Sequence, residues 1–597
     1  MEGSFPKGAT LYDGGCRFVV WAPHADQVFV VGTFNEWNGT THPMTRNPEG
    51  VWSIDVDGAK VGDEYRYRII TEDKVSLRID PYARRVTSSA GNAIIRAPRR
   101  RGEGKDFVAP PLNEMILYEL HVGTFGKKPG SPGPGTLEGA MDRLPYLREL
   151  GINAVEVMPI AEFSGSYSWG YNPSHIFAVE SDYGGPRSFR DFVDEAHGMG
   201  IAVIVDVVCN HFGPSDLDLW QFDGWSHNGK GGIYFYNDWR AVTPWGETRP
   251  DYGRKEVRDY IRDNALMWLQ EFDVDGLRWD MTAFIRNVHG RNNDLEGDLP
   301  DGWSFMQWVN EEIRKVKPGV FIIAEDLQGN PFLTKAQKDG GAGFSAQWAS
   351  PFVHAIRKAL IAAEDASRDL DAVRDAVLHR YFLNAFERVI YTESHDEVAN
   401  GKARVPEEVD PGKASSRAAK KKSALGAVLV FTSPGIPMIF QGQEFLEDDW
   451  FHDQDPIDWT KKDRFAGILQ LYRDLISLRL NRGGWSKGLL GQEVDVYHVN
   501  HKGKIIVYSR FESGQAADGV VVAANFSSSP CEDYEIVLPV PGKWLVRFNS
   551  DSRHYDKDFG DFGNDAVFAE TKEEGGPAQA KVRVAPYSAL ILSLGKP

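Results

Sequence analysis

The 597-residue sequence predicts an α/β protein: a (β/α)8 TIM barrel with an N-terminal β-sandwich and a C-terminal β-sandwich. Three observations lead there. Between about 112 and 480, short apolar runs alternate with helix-length stretches, the pattern of βα units, and eight such runs follow one another. On both sides of that span, β-type runs separated by turns occur without helical stretches between them. Carboxylates stand at the C-terminal ends of several of the eight central runs, on the face where such barrels carry their sites.

Residues 1–108 form the expected N-terminal sandwich, with the clearest strands at Arg17–Ala22, Val28–Val31, Val51–Ile54 and Glu64–Arg68. The polar segment Arg99–Lys105, opening on three arginines, reads as a linker. Barrel strands are expected at Ile116–Val122, Ala154–Pro159, Ile201–Val208, Val274–Trp279, Val320–Asp326, Phe344–Trp348, Arg388–Glu393 and Pro437–Gly442, the sixth being the weakest; the barrel spans 112–480. After the third, residues 212–253 are aromatic, Gly-rich and irregular, and read as an excursion that walls one side of the cleft. Its Trp220, Trp225, Tyr234, Tyr236 and Trp245 either stack on a ligand or pack the loop. Runs such as Glu493–Tyr497, Ile505–Tyr508, Gly519–Ala523 and Ala589–Leu592 place the C-terminal sandwich over 485–597.

Lys plus Arg is 67 against 85 Asp plus Glu, a net charge of −18, which argues against a nucleic-acid partner. No run reaches the roughly 18 apolar residues of a membrane span, so no membrane partner is expected. The 17 Trp and 21 Tyr point to neutral, hydroxylated ligands that stack on rings. Cys16, Cys209 and Cys531 are scattered and lack metal spacing. With a start that lacks signal-peptide features, this places the expected enzyme in the cytoplasm.

The fourth strand ends on Asp280, with Arg278 two residues before it. Side chains two apart on a strand share a face, and a guanidinium that close holds a carboxylate ionised and aims it. An oriented carboxylate there is what a covalent nucleophile at a sugar carbon requires. Asp206-Val207-Val208-Cys209-Asn210-His211 closes the third strand, Ala324-Glu325-Asp326 the fifth and Ser394-His395-Asp396-Glu397 the seventh. In this order and on these strands, the four segments resemble the signature motifs of the α-amylase superfamily of glycoside hydrolases and transglycosylases. The resemblance implies that Asp280 is the nucleophile, Glu325 the general acid/base and Asp396 the carboxylate that hydrogen-bonds sugar hydroxyls. It implies further that Arg278 orients the nucleophile, that His211 and His395 contact the sugar at the cleavage subsite, and that Asp206 is a supporting acid. Tyr171, in Trp169-Gly170-Tyr171-Asn172-Pro173, resembles the family's stacking tyrosine. Gly32-Thr33-Phe34-Asn35-Glu36-Trp37-Asn38 resembles a segment of glycogen-binding-type modules, where a Trp at the position of Trp37 stacks on sugar; packing inside the sandwich is the alternative.

Breaking an α-glucosidic bond with retention takes two carboxyl groups about 5–5.5 Å apart, one nucleophilic and one protonated. Neighbouring carboxylates repel, so Glu325 is expected to start as the acid while Arg278 keeps Asp280 ionised. The expected substrates are α-1,4-linked starch- or glycogen-type glucans and maltooligosaccharides. Water on the glycosyl-enzyme gives hydrolysis, the commoner outcome in the superfamily and the reading adopted from sequence; a glucan hydroxyl gives transfer. Ile323–Asp326, Glu393–Glu397 and the N-terminal module resemble glucan branching enzymes, whereas Asn210–Pro214 and Trp169–Pro173 look more like maltooligosyltrehalose trehalohydrolases. A non-catalytic glucan-binding protein is the rival from another class, and the presence of Asp280, Glu325 and Asp396 speaks against it. No cofactor is expected. Asn210 matches a calcium-binding Asn of amylases, but no specific calcium motif accompanies it. Met281-Thr282-Ala283-Phe284 departs from the Lys-His pair that many amylases carry after the nucleophile.

Overall fold

Eight parallel strands close a barrel at the centre of the chain: Leu117–Leu120, Ala154–Val157, Ala202–Val207, Gly276–Trp279, Phe321–Ala324, Ala346–Trp348, Arg388–Ile390 and Ile436–Phe440. The computed structural model describes residues 7–97, 107–128, 130–514, 518–572 and 576–595. The expected linker Arg99–Lys105 lies outside the described residues.

Every residue of these eight strands is buried, and the period of two decides which face each serves. Tyr118, Val155, Val205, Leu277 and Ile322 join the core beneath the helices, while Leu117, Ala154, Ile204, Ile323 and Met438 fill the barrel interior. Along the inward phase the chemistry then changes. Leu117 is followed two residues on by Glu119, Ala154 by Glu156, Ile204 by Asp206, Gly276 by Arg278 and then Asp280, and Ile323 by Glu325. The lower layers are therefore apolar, and the layer facing the C-terminal rim is charged.

Helices Gly185–Gly198, Lys255–Glu271, Pro300–Val316, Ser350–Ile361, Leu370–Leu378, Arg417–Thr432 and Ala466–Arg479 cover the outside. Between the fifth and sixth strands, no α-helix occurs among the described residues; residues 325–345 hold only the 3₁₀ turn Gln337–Asp339. An antiparallel pair, Ala161–Phe163 with Pro173–Val179, follows the second strand, and the loop between its strands carries Tyr171.

The N-terminal module has two sheets. One orders Gly8–Tyr12, Gly15–Trp21, Val51–Asp57 and Thr45–Arg46; the other pairs Gln27–Gly32, Glu64–Thr71, Lys74–Arg78 and the short Ala93–Ile94. The C-terminal domain is all-β, eight strands from Glu493–Asn500 to Ser588–Leu594 in one hydrogen-bonded path around Trp544, Val582 and Leu590. Among the described residues, no helix is long and apolar enough to cross a membrane.

The excursion after the third strand serves a different neighbour from the one its aromatics suggest. Apart from the 3₁₀ turn Trp239–Ala241 it has no helix or strand, and much of it grips the N-terminal module. His24 gives its backbone N–H and turns its Nδ1 to Asp223 Oδ2, at 3.0 and 2.8 Å. The Arg78 guanidinium donates to the carbonyls of Phe222 (3.1 Å) and Gln221 (3.0 Å), and the Ile79 N–H to Asp218 (2.6 Å). Trp225 stacks on His24 with ring centroids 4.5 Å apart, and Tyr234 packs edge-on against Trp21 at 5.6 Å. Tyr234 and Tyr236 are buried, and Trp220 is half-buried against Phe235. Of the five candidate rings, four pack the loop and its partner; Trp245, 38% exposed, stacks on His211 at 4.6 Å.

Candidate active site

Arg278 is the centre of the charged layer. Fully buried on the fourth strand, it places Nη1 2.6 Å from Asp206 Oδ2 and 3.2 Å from Asp280 Oδ1, and Nη2 2.9 Å from Glu325 Oε2. Tyr171 donates its hydroxyl to Asp206 Oδ2 at 2.7 Å. The plane of the guanidinium also lies over Trp348 of the sixth strand, 4.5 Å from its ring centre. The parallel register explains the convergence, because Asp206 pairs with Arg278 and Trp279 with Ala324, so the residues that end strands three, four and five are neighbours.

Arg278 contacts Asp280 as expected and is also the shared counter-ion of Asp206 and Glu325, three buried carboxyls in all. Burial raises the Asp280 carboxyl well above its ordinary range, the charge of Glu325 adds to the rise, and Arg278 opposes it. Burial likewise raises Glu325 against the pull of Arg278. One guanidinium thus faces two carboxyls whose charged forms burial disfavours.

Hydrogen bonding constrains where a proton on Glu325 sits. Glu325 Oε2 accepts the N–H of Met281 at 3.0 Å and lies in ion-pair contact with Arg278 Nη2 at 2.9 Å. Glu325 Oε1 is buried and has no protein partner. A proton on Glu325 therefore sits on Oε1. Met281 reaches its position through a left-handed backbone (φ 38°), a conformation that costs a non-glycine residue on the order of 1–3 kcal/mol. Thr282 secures the same turn, giving its N–H (2.6 Å) and its hydroxyl (3.0 Å) to the carbonyl of Glu325.

On the opposite wall, His395 is held through Nδ1 by Glu119 of the first strand and lies 3.5 Å from Asp396 through Nε2. Burial alone would depress this imidazole. The charges of Asp396 and Glu119, with the Glu119 hydrogen bond, outweigh burial and hold it up at about 10, so it is a standing cation at neutral pH. Tyr171 stacks on His395 with centroids 4.9 Å apart. Asp396 keeps 41% of its side chain exposed, in contrast to Asp280 and Glu325. Burial lowers His211 to about 4, leaving it neutral beside Trp245.

The structure thus gathers Arg278, Asp206, Tyr171, Asp280, Glu325, His395 and Asp396 around one rim, with His211 next to Asp206's strand end. Trp37 is elsewhere, on a turn of the N-terminal module, 40% exposed and with φ 61°. Sequence reasoning passed over Glu119 and Glu156. Their signal was present: each is an acid two residues after an apolar inward position, in the same phase as Asp206. Glu156 is buried with Oε2 unpartnered, and burial raises its carboxyl well above its ordinary value against the opposing pull of Arg278.

Calcium does not fit Asn210 as the chain is folded. Its Oδ1 accepts from the backbone N–H of His211 at 3.1 Å, and its Nδ2 is the buried atom left without a partner, a donor that would face a cation with the wrong polarity. Among the described residues, the one acidic cluster close enough to share an ion is Glu447, Asp448 and Asp449, and Lys461 already lies in ion-pair contact with all three.

A closed barrel between two all-β domains, with a buried carboxyl pair at its C-terminal rim, is the architecture of an enzyme that makes or breaks glycosidic bonds. The α-amylase catalytic domain matches residues 82–221 and 223–467, carbohydrate-binding module 48 (the isoamylase N-terminal domain) matches 6–83, and the α-amylase C-terminal all-β domain matches 497–595. The chain belongs to the α-amylase family. The 1,4-α-glucan branching enzyme GlgB of Bacillus caldolyticus is 30% identical to it over 97% of this chain and 87% of its own. For GlgB of Rhodospirillum rubrum the values are 31%, 97% and 80%, and for GlgB of Mycobacterium bovis 32%, 99% and 82%. Among solved structures, a putative α-amylase from Salmonella typhimurium superposes with a TM-score of 0.73 at 22% identity, covering 99% of this chain and 100% of its own. A type I pullulanase from Bacillus subtilis, complexed with maltose, superposes at 0.76 and 20% identity, covering 100% and 86%. At such identities these two speak for the fold.

Proposed function

We propose that the protein is a 1,4-α-glucan branching enzyme: it cleaves an α-1,4 bond, holds the released segment as a glycosyl ester, and passes it to a 6-hydroxyl of a glucan chain. One observation carries this. Relatives 30–32% identical over 97–99% of the chain, spanning module, barrel and C-terminal domain together, bear that activity in their names. Hydrolysis, favoured from sequence, gives way to transfer on that ground. The test is incubation with amylose while new α-1,6 branches and new reducing ends are counted. Branches in excess are expected; reducing ends without branches would return the reading to hydrolysis.

In this reading Asp280 attacks the anomeric carbon while Glu325, protonated on Oε1, hands its proton to the departing oxygen. While Glu325 carries the proton, Asp280 is the charged partner of Arg278. Asp206 and Tyr171 fix the guanidinium so that it cannot follow either carboxyl. Asp396 and the His395 cation present an acceptor and a donor to ring hydroxyls, and His211 adds a neutral contact. The three cysteines are free, in keeping with a cytoplasmic location.

Glu119→Gln is expected to move the alkaline limb of the kcat profile to lower pH by about one unit or more. The sign follows from the raised imidazole: its charge is full at low pH and lost as pH rises through its folded pKa, which the substitution lowers. An even loss of activity at all pH values would leave Glu119 a packing residue only.

Trp37 is proposed to hold polymeric glucan. Trp37→Ala should weaken retention on starch granules several-fold, about the worth of one ring stacked on a sugar at a remote module. Unchanged retention would assign the ring to its turn alone.

A further inference from the structure

The loop that carries Tyr171 is held from behind by His121, the residue after the first strand. The imidazole is buried and lies edge-on to Phe451, with centroids 5.5 Å apart. Its Nε2 is 2.9 Å from the carbonyl oxygen of Ser168, and its Nδ1 is 3.2 Å from the Thr124 hydroxyl. Gln441, the residue after the eighth strand, closes the chain of contacts. It meets the His121 backbone at 2.9 Å and Thr124 at 2.7 Å.

Which nitrogen carries the proton is decided from both ends of this chain. The backbone N–H of His121 can only donate, so the group facing it is Gln441 Oε1. That turns Gln441 Nε2 towards Thr124, whose oxygen accepts, and leaves the Thr124 proton for Nδ1. At the other end a carbonyl can only accept, so Nε2 must be the donor to Ser168. Burial lowers the imidazole to about 4, so it is neutral and has that one N–H to give. Both ends agree on the Nε2–H tautomer.

The carbonyl it holds belongs to a turn with little slack. Ser168 Oγ accepts the N–H of Gly170 at 2.9 Å and donates to Asn172 Oδ1. Gly170 has a left-handed backbone (φ 95°), and a Cβ there would come within 2.2 Å of the Pro159 carbonyl oxygen. Tyr171 therefore sits in a turn braced at Ser168, Gly170 and Asn172. From it the hydroxyl reaches Asp206 and the ring reaches His395. Tyr183 adds a second, longer donor to the Ser168 carbonyl, at 3.4 Å.

We infer that His121 is a positioning residue for bond cleavage: its Nε2–H, set by Gln441 and Thr124, fixes the Ser168 carbonyl and through it the place of Tyr171 beside the reacting sugar. The inference rests on the reading above, in which the glycosyl ester forms at this rim. A shifted Tyr171 lets go of Asp206 and of one face of His395, both at the reacting centre. The effect therefore falls on turnover rather than on the binding of remote sugars.

The test compares two amides in the full-length enzyme. A Gln side chain carries its amide nitrogen to the place of Nε2, whereas Asn ends at the place of Nδ1, short of Ser168. His121→Asn is expected to lower kcat on amylose about tenfold, with KM within about twofold; a misplacement of about 1 Å costs up to about a hundredfold, and Tyr183 retains part of the hold. His121→Gln should keep kcat within about threefold of the wild type. In a Tyr171→Ala background the Asn substitution should cost less than about twofold, because the residue it acts through is gone. Equal kcat values for Asn and Gln, or an undiminished loss in the Tyr171→Ala background, would overturn the inference. Should His121→Asn melt early, His121→Phe takes its place, keeping a ring against Phe451 and offering no donor. Rates counted as reducing ends plus branches read cleavage alone. A wild type that releases reducing ends without branches would end the branching reading and leave this test in force.

Discussion

Asp280→Asn is expected to lose at least about four orders of magnitude in turnover on amylose, the cost of removing a covalent nucleophile. The fold should survive. Asn has nearly the same volume, and Arg278 keeps Asp206 at 2.6 Å and Glu325 at 2.9 Å, so no buried cation is stranded. The substitution also removes a carboxyl that burial and the charge of Glu325 already hold high. Thermal unfolding should therefore occur at the wild-type temperature or slightly above it. Initial rates with a melting curve on the same preparation decide the matter. Retention of more than about a tenth of the activity would mean that another group attacks the sugar.

Glu325→Gln should cost about 10²- to 10⁴-fold on natural glucans, the range for loss of a positioned acid. The loss should shrink sharply on aryl maltooligosaccharides, whose leaving group departs without a proton. Gln retains an oxygen for the Met281 N–H and lacks only the transferable proton at the Oε1 position. The pH profile carries a second signature. Glu325 is raised by burial, so its acid form persists at low pH and is lost as pH rises through its folded pKa; with Gln, that limb should vanish on the activated substrate. Equal losses on both substrates would remove Glu325 from the role of acid.

Much of the barrel was legible because its strands are short, apolar and terminated by acids. The sixth unit was weak for a physical reason: residues 326–345 hold four glycines and contain no α-helix to mark the spacing. The positions of Asp280 and Glu325 could be read directly because each follows a strand's last residue, and Asp396 stands in the loop after the seventh strand. The sharing of Arg278 could not. It depends on strand register, which brings Asp206, Arg278 and Ile323 level across three strands separated by dozens of residues. Glu119 and Glu156 were visible as letters, and their phase matched Asp206, yet a single acid inside an apolar run looks like any outward-facing one until closure of the barrel defines inside. The aromatic excursion misled in the other direction. Composition counted its rings correctly and could not reveal that their partners were His24, Trp21 and Arg78, more than 130 residues earlier.

The grip of that excursion on the N-terminal module bears on how the enzyme can be cut. A binding module joined by a free tether can be deleted, leaving a smaller but intact catalyst. Here the segment 212–253 has almost no helix or strand of its own; part of its shape comes from the His24, Arg78 and Ile79 contacts and from the ring of Trp225 on His24. The same segment carries Trp245 against His211. Removing residues 1–97 would take away one half of a mould, and the wall of the sugar site cast in it would slump. Shortened forms of this chain should therefore fail on small maltooligosaccharides as well as on granules, with the module acting as scaffold for the cleft it was expected only to feed.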